Sequence, residues 1–224
     1  MVTKQHPSAV RPRKVPQQSR AEYTVAVLLE AVACLLETDG AERLTTNRVA
    51  QRAGVSIGSL YQYFPGKDAL IVALCQRERN AFLADAGDAR QAPDGRGALL
   101  RLIGAAVNQQ LHRPELARLL DFEQTRPVIA RELAPFIVAM AALVGQLLER
   151  ADIPSQADSA AAIDDVIAIV RGMVNAAGDR GEHDRAGLEQ RIGRAVFGYL
   201  GMPALAPEDP HTRRTASVSP WSGG

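Results

Sequence analysis

Between residues 19 and 202, apolar residues recur three and four positions apart, the spacing of one face of an α-helix. Ser19-Arg20-Ala21-Glu22 reads as a capping box, and Val25, Leu28, Leu29, Val32, Leu35 and Leu36 form a stripe running to about Glu37. Gly40 is the expected stop. Thr45 is placed to cap a short helix over 46–53 that Gly54 ends. Ser56 caps a third over 57–63, before Pro65-Gly66, and a fourth starts at Lys67 and runs to about Ala86. Further helices are expected over 95–111, 114–125, 127–150, 157–178 and 185–201. His112-Arg113-Pro114, Arg126-Pro127, Ile153-Pro154 and the Gly178 to Gly181 stretch punctuate them. No hairpin signal and no internal repeat interrupts the pattern. The fold class is all-α, with about nine helices: a three-helix head followed by a larger helical bundle.

The ends differ from this middle. Residues 1–18 contain three prolines and the cations Arg11, Arg13 and Lys14 without an acid, and read as a disordered basic arm. Residues 203–224 carry Pro203, Pro207, Pro210 and Pro220 among Ser, Thr and Gly, and read as a disordered tail. The expected domains are therefore 1–18, 19–66, 67–202 and 203–224.

A net charge of +1 hides an asymmetry. Residues 1–80 hold eleven Lys and Arg against seven Asp and Glu, while the rest of the chain is acidic. A basic N-terminal module suits a polyanion. Two cysteines, Cys34 and Cys75, support neither a disulfide framework nor a metal quartet. No apolar run approaches the roughly 20 residues of a membrane span, and the first twenty residues lack the apolar core of a secretory signal. A cytoplasmic location, nucleoid-associated when bound to DNA, is the expectation.

The segment from Leu44 to Lys67 carries the most information. Two short helices meet at a corner made by Gly54, which tolerates left-handed backbone. Val49, Ala50 and Ala53 line one side of the first helix, and Leu60 and Phe64 pin the second. That is helix-turn-helix geometry, with the motif at 45–64. Ile57, Gly58, Ser59, Tyr61, Gln62 and Tyr63 are left to face outward. Small residues allow close approach, and a helix N-terminus suits phosphate. From Arg43 to Lys67 there are four cations and no acid, so the second helix is suited to a major groove. Thr45 and Ser56 can be caps alone, Tyr61 can be a packing residue and Arg48 a solvated charge; these readings stay open.

Leu-Thr before the first motif helix, Ala-x-x-Ala-Gly-Val-Ser at the turn, and Leu-Tyr-x-Tyr-Phe followed by Lys-Asp-Ala-Leu occur in register. Over about residues 19–75 the chain resembles the TetR family of bacterial transcription regulators. The resemblance implies phosphate contacts at Thr45, Thr46 and Lys67. It also implies base-proximal positions at Ser56, Ile57, Gly58 and Ser59, and phosphate or base contacts at Tyr61 and Tyr63. Arg48 and Gln62 complete the expected DNA-binding set. A homodimer on a palindromic double-stranded operator is implied, as is a small-molecule effector that releases a repressor. The basic arm either follows the DNA or is a plain leader.

Beyond residue 75 the resemblance extends only to length and helical character. Phe122, Phe136, Met140 and Met173 are candidates for an apolar effector pocket, with Asn108, Gln109 or Glu123 as polar anchors. Ile163, Ile167, Val170 and Val174 on one helix, and Leu188, Ile192, Ala195 and Tyr199 on the next, are candidates for a dimer interface. The alternative is that both stripes are intramolecular core. Helix 4 is the expected lever between head and body. No nucleotide-binding glycine motif, metalloprotease motif or nucleophile elbow is present, so neither an enzyme, a metal site nor a cofactor is expected. A helical interaction module with a degenerate DNA-binding head is the competing class.

Overall fold

The computed structural model describes residues 17–203, so the expected arm and most of the expected tail lie outside the described residues. Ten α-helices and one 3-10 turn make up the described chain. In order they are α1 (Gln17–Asp39), α2 (Thr46–Ala53), α3 (Ile57–Tyr63), α4 (Lys67–Gly87), α5 (Gly95–His112), α6 (Pro114–Glu123), α7 (Pro127–Glu132), α8 (Ala134–Leu148), α9 (Ser159–Asp179) and α10 (Arg185–Tyr199). The 3-10 turn covers Asp88–Gln91. No strand occurs among the described residues, so the all-α class holds.

Two helix boundaries depart from the sequence pattern. α1 begins at Gln17, so Ser19 sits inside the first turn and is not its cap. The helix expected over 127–150 is two. α7 ends at Glu132 with Leu133 as its C-cap (φ −96°, ψ −3°), and α8 restarts at Ala134. Pro135 explains the break: it has no N–H to give the carbonyl four residues before it, and its ring clashes with that carbonyl.

The described chain packs as two compact units. One takes the residues up to Ala81 together with Arg113–Phe136; the other takes Phe82–His112 and the residues from Ile137 onward. The division therefore falls inside α4, not at the expected residue 66. The first unit encloses a single apolar core. Leu28, Val32 and Leu36 of α1 meet Val49 of α2, Leu60 of α3, and Leu70, Ile71 and Leu74 of α4. Leu116 and Leu120 of α6, with Ile129 and Leu133 of the α7 segment, belong to the same core. Charges follow the same path. Arg113 reaches Glu30 at 2.9 Å and also pairs with Glu37, which ties the start of α6 to α1. Burial raises the Glu30 carboxyl, yet Arg113 and Arg77 outweigh it and hold it below its ordinary value.

In the second unit, α5, α9 and α10 pack on one another. Leu188 and Ile192 of α10 are fully buried, as are Val166 and Ala177 of α9. Val170 and Val174 are almost as deep. These apolar stripes are therefore taken up largely within the chain, because α5 provides the surface they cover. Leu188, Ile192, Val170 and Val174 are thus positions of this unit's own core. Ile163, Ile167 and Ala195 remain half-buried and Tyr199 is exposed. The Tyr199 hydroxyl donates to Asp165 at 2.6 Å, and that hydrogen bond raises the phenol above its ordinary value.

The start of α5 is held by two carboxylates. Asp94 accepts from the Gly97 N–H, and Asp152 accepts from the Gly95 N–H at 2.8 and 2.9 Å. A side chain on Gly95 would place its Cβ 2.6 Å from Ile153 Cγ1 and 2.8 Å from Asp152 Oδ1. Gly95→Ala is expected to lose about 1–3 kcal/mol of stability through this overpacking, read as a lower urea midpoint; an unchanged midpoint would contradict the packing described. The Gly95 N–H also holds the Asp152 carboxyl below its ordinary value. An acid depressed in the folded state stabilises it above the unfolded value, and that contribution fades as pH falls below about 4. Asp152→Asn should thus melt lower than wild type at pH 7, and the gap should narrow on acidification. A gap that is the same at pH 3 would rule out this role.

Candidate nucleic-acid interface

The turn between α1 and α2 is built from charge as well as from backbone. Gly40 leaves α1 with φ 76°, the left-handed conformation that ends the helix. Thr45 then caps α2, its hydroxyl accepting from the Arg48 N–H at 3.3 Å. Arg48 reaches back over the turn to the Asp39 carboxylate at 2.7 Å and to the Arg43 carbonyl at 3.0 Å. Lys67, half-buried at the start of α4, donates its ammonium to the Ala41 carbonyl. Arg48 and Lys67 are thus both engaged in bracing residues 39–43.

α2 and α3 are joined at Gly54, whose φ of 68° closes α2 with its N–H on the Ala50 and Gln51 carbonyls. Ser56 caps α3: its hydroxyl accepts from the Ser59 N–H at 3.0 Å and shares a hydrogen bond with the Ser59 hydroxyl at 2.8 Å. Leu60 is fully buried and Phe64 nearly so, which fixes the rotation of α3. Ile57, Tyr61 and Tyr63 are 38%, 52% and 37% exposed, three large side chains left outside on a short helix. Gly58 and Gln62 are exposed too, with Ser59 half-buried. The Tyr61 hydroxyl shares a hydrogen bond with Thr46 at 3.1 Å, linking the outer faces of α2 and α3.

The structure brings Thr45, Thr46, Ser56, Ser59 and Tyr61 into two small hydroxyl pairs and caps, and leaves Ile57, Gly58, Gln62 and Tyr63 free on one short helix. Arg48 and Lys67 are not presented in the same way. Arg43 and Arg52 are exposed cations of the same segment to which the sequence pattern gave no individual role. Arg52 has no acid three or four residues away in the sequence.

The candidate effector residues are not assembled within either unit. Phe122 and Phe136 belong to the first, and Asn108, Met140 and Met173 to the second. Phe122 is 68% exposed. The Phe136 ring lies beneath the Arg79 guanidinium, 4.1 Å from its centroid. Asn108 accepts from Arg185 at 2.6 Å. Glu123, buried, is engaged by Arg126 at 2.8 Å and is no free anchor. Met140 is buried and Met173 half-buried. Burial pushes the Cys75 thiol up to about 11, as an inert core thiol requires. No cluster of three or more metal-ligating side chains, and no helix long and apolar enough to cross a membrane, occurs among the described residues.

Two capped helices at a glycine corner, with a small and polar outer face on the second, define a helix-turn-helix DNA-binding head. Residues 28–74 match the family model described as bacterial regulatory proteins, tetR family. The match covers the head of the chain. It is 42% identical over 64 residues to the nucleoid occlusion factor SlmA of Actinobacillus pleuropneumoniae serotype 5b, covering 29% of this chain and 32% of that one. It is 34% identical over 92 residues to the HTH-type transcriptional repressor KstR of Rhodococcus jostii, 40% of this chain and 41% of the repressor. These matches span only a third to two fifths of the curated relatives' length. The fold likeness reaches further: the fatty acid degradation regulator FadR from Bacillus halodurans superposes with a TM-score of 0.71 at 17% identity, over 86% of this chain and all of that one.

A Cβ added at Gly58 would meet only the Ser56 hydroxyl, at 3.8 Å, and the backbone there is ordinary helix. The fold itself has no need of glycine at this position. Gly58→Ala is expected to gain about 0.5–1 kcal/mol of stability from helix propensity, seen as a higher melting temperature. A lower one would show that the site is tighter than described.

Proposed function

We propose that this protein is a sequence-specific, DNA-binding transcriptional regulator that acts as a homodimeric repressor and leaves its operator when a small effector binds. The observation that carries the reading is the outer face of α3. It combines a glycine the fold does not need, three exposed large side chains and an exposed glutamine, and it contains no acid. Such a surface approaches a base-pair edge without electrostatic opposition. Thr45, Thr46 and Tyr63 position the backbone, and Arg43 and Arg52 join the phosphate-facing cations. Arg48 and Lys67 act through the α1–α2 turn they brace, with the remaining donors of Lys67 available to a phosphate.

Dimerisation follows from what one recognition helix can do. A single head specifies few base pairs, and a two-fold partner places a second helix one DNA turn away. Tyr199 and Ala195 of α10, with Ile163 and Ile167 of α9, are the surfaces left for that pairing. Repression is in keeping with the matched Rhodococcus jostii protein, a repressor by name. The effector would bind in the second unit, where Met140 and Met173 lie; its chemistry is open. The competing reading, an interaction module without DNA recognition, would be favoured by a charged or eroded α3 face, and α3 is neither.

The test is fluorescence anisotropy with the intergenic duplex beside the protein's own gene and a scrambled duplex, each at two salt concentrations. Selective binding that weakens steeply with salt is expected; equal, weak binding to both duplexes would favour the interaction module. Tyr63→Ala should weaken the selective complex about 5-fold or more, as loss of a roughly 1 kcal/mol contact would, with an unchanged melting temperature. Unaltered affinity would remove Tyr63 from the interface.

A further inference from the structure

We propose that Gln62 is the residue through which α3 selects its base, and that the base is adenine; the proposal rests on the DNA-binding reading above. Each helical residue turns about 100° from the last. Leu60 and Phe64 are both buried, so the core lies between their two directions. Gln62, two residues from each, points about 180° from that direction. Gly58, one turn before it, lies on the same side, where an added Cβ would meet only the Ser56 hydroxyl at 3.8 Å. The side chain aimed most directly away from the core therefore stands next to the position with the least bulk.

Ser56 and Ser59 bond each other, Ser56 also caps α3, and Tyr61 bonds Thr46. The Gln62 amide makes no hydrogen bond to another described residue. α3 contains no Arg or Lys, so the two-donor fork that suits the N7 and O6 acceptors of guanine is missing from the helix. A glutamine amide offers one donor beside one acceptor. Adenine presents the matching acceptor N7 and donor N6 in the major groove, whereas guanine presents two acceptors and leaves the amide oxygen opposed. A bidentate contact of this kind discriminates by roughly 5- to 150-fold.

The experiment uses the full chain. A randomised duplex library is selected for binding, and the enriched duplex is labelled for anisotropy. Each adenine of a half-site is then replaced in turn by 7-deazaadenine, which removes only the N7 acceptor. Wild type and Gln62→Ala are measured on every duplex, with thermal melting to confirm that the exposed substitution leaves the fold intact. The proposal expects one half-site adenine whose replacement weakens wild type by a factor in that range and leaves Gln62→Ala unchanged. It is overturned if the selected half-sites lack a fixed adenine, or if the deaza penalty is the same in both proteins. A library that yields no enriched sequence overturns the DNA-binding reading itself, which is a different outcome from enriched duplexes that ignore Gln62.

Discussion

Burial of Leu60 and Phe64 decides what every other residue of the motif can do. α3 is only seven residues long, too short to hold a helical conformation by itself. Its place and its rotation come from two apolar side chains sunk in the core of the first unit. Truncating a leucine so buried costs about 2–5 kcal/mol, whereas an exposed ion pair contributes at most about 1. The apolar anchor therefore sets the geometry, and the polar contacts refine it. With that rotation fixed, Gln62 and Gly58 have to face outward, and the hydroxyls of Ser56 and Tyr61 fall within reach of Ser59 and Thr46.

The same core explains why the head is larger than its three helices. Leu116, Leu120, Ile129 and Leu133 come from α6 and α7 but close the volume beneath α1 and α4. A head of three helices buries only a modest apolar surface, which makes a small domain marginal by itself. The chain answers by lending the head a second segment, distant in sequence, and by tying it to α1 through Arg113, Glu30 and Glu37. Any force that moves α6 or α7 is thereby felt in the packing that orients α3.

Much of this was legible in the sequence because it is local. The caps at Thr45 and Ser56, the glycine corner at Gly54 and the apolar pair at 60 and 64 each depend on residues within four positions. What escaped depends on distance or on a single atom. Pro135 breaks one predicted helix into two because it lacks an N–H, a signal outweighed by the long apolar run around it. The partners of Arg48 and Lys67, Asp39 and the Ala41 carbonyl, lie across a turn that no helical spacing describes. The stripes of α9 and α10 were correctly read as apolar. Their partner was α5, and periodicity says that a face is buried but not against what.

Whether the α2–α3 face meets DNA decides the role of every residue on it. Amide hydrogen exchange of the full chain, with and without a selected duplex, tests this most directly. Protection on binding should concentrate between residues 45 and 63, and should fade as salt is raised. Protection confined to other helices, with 45–63 unchanged, would contradict the assignment of this face and return the protein to the class of helical interaction modules.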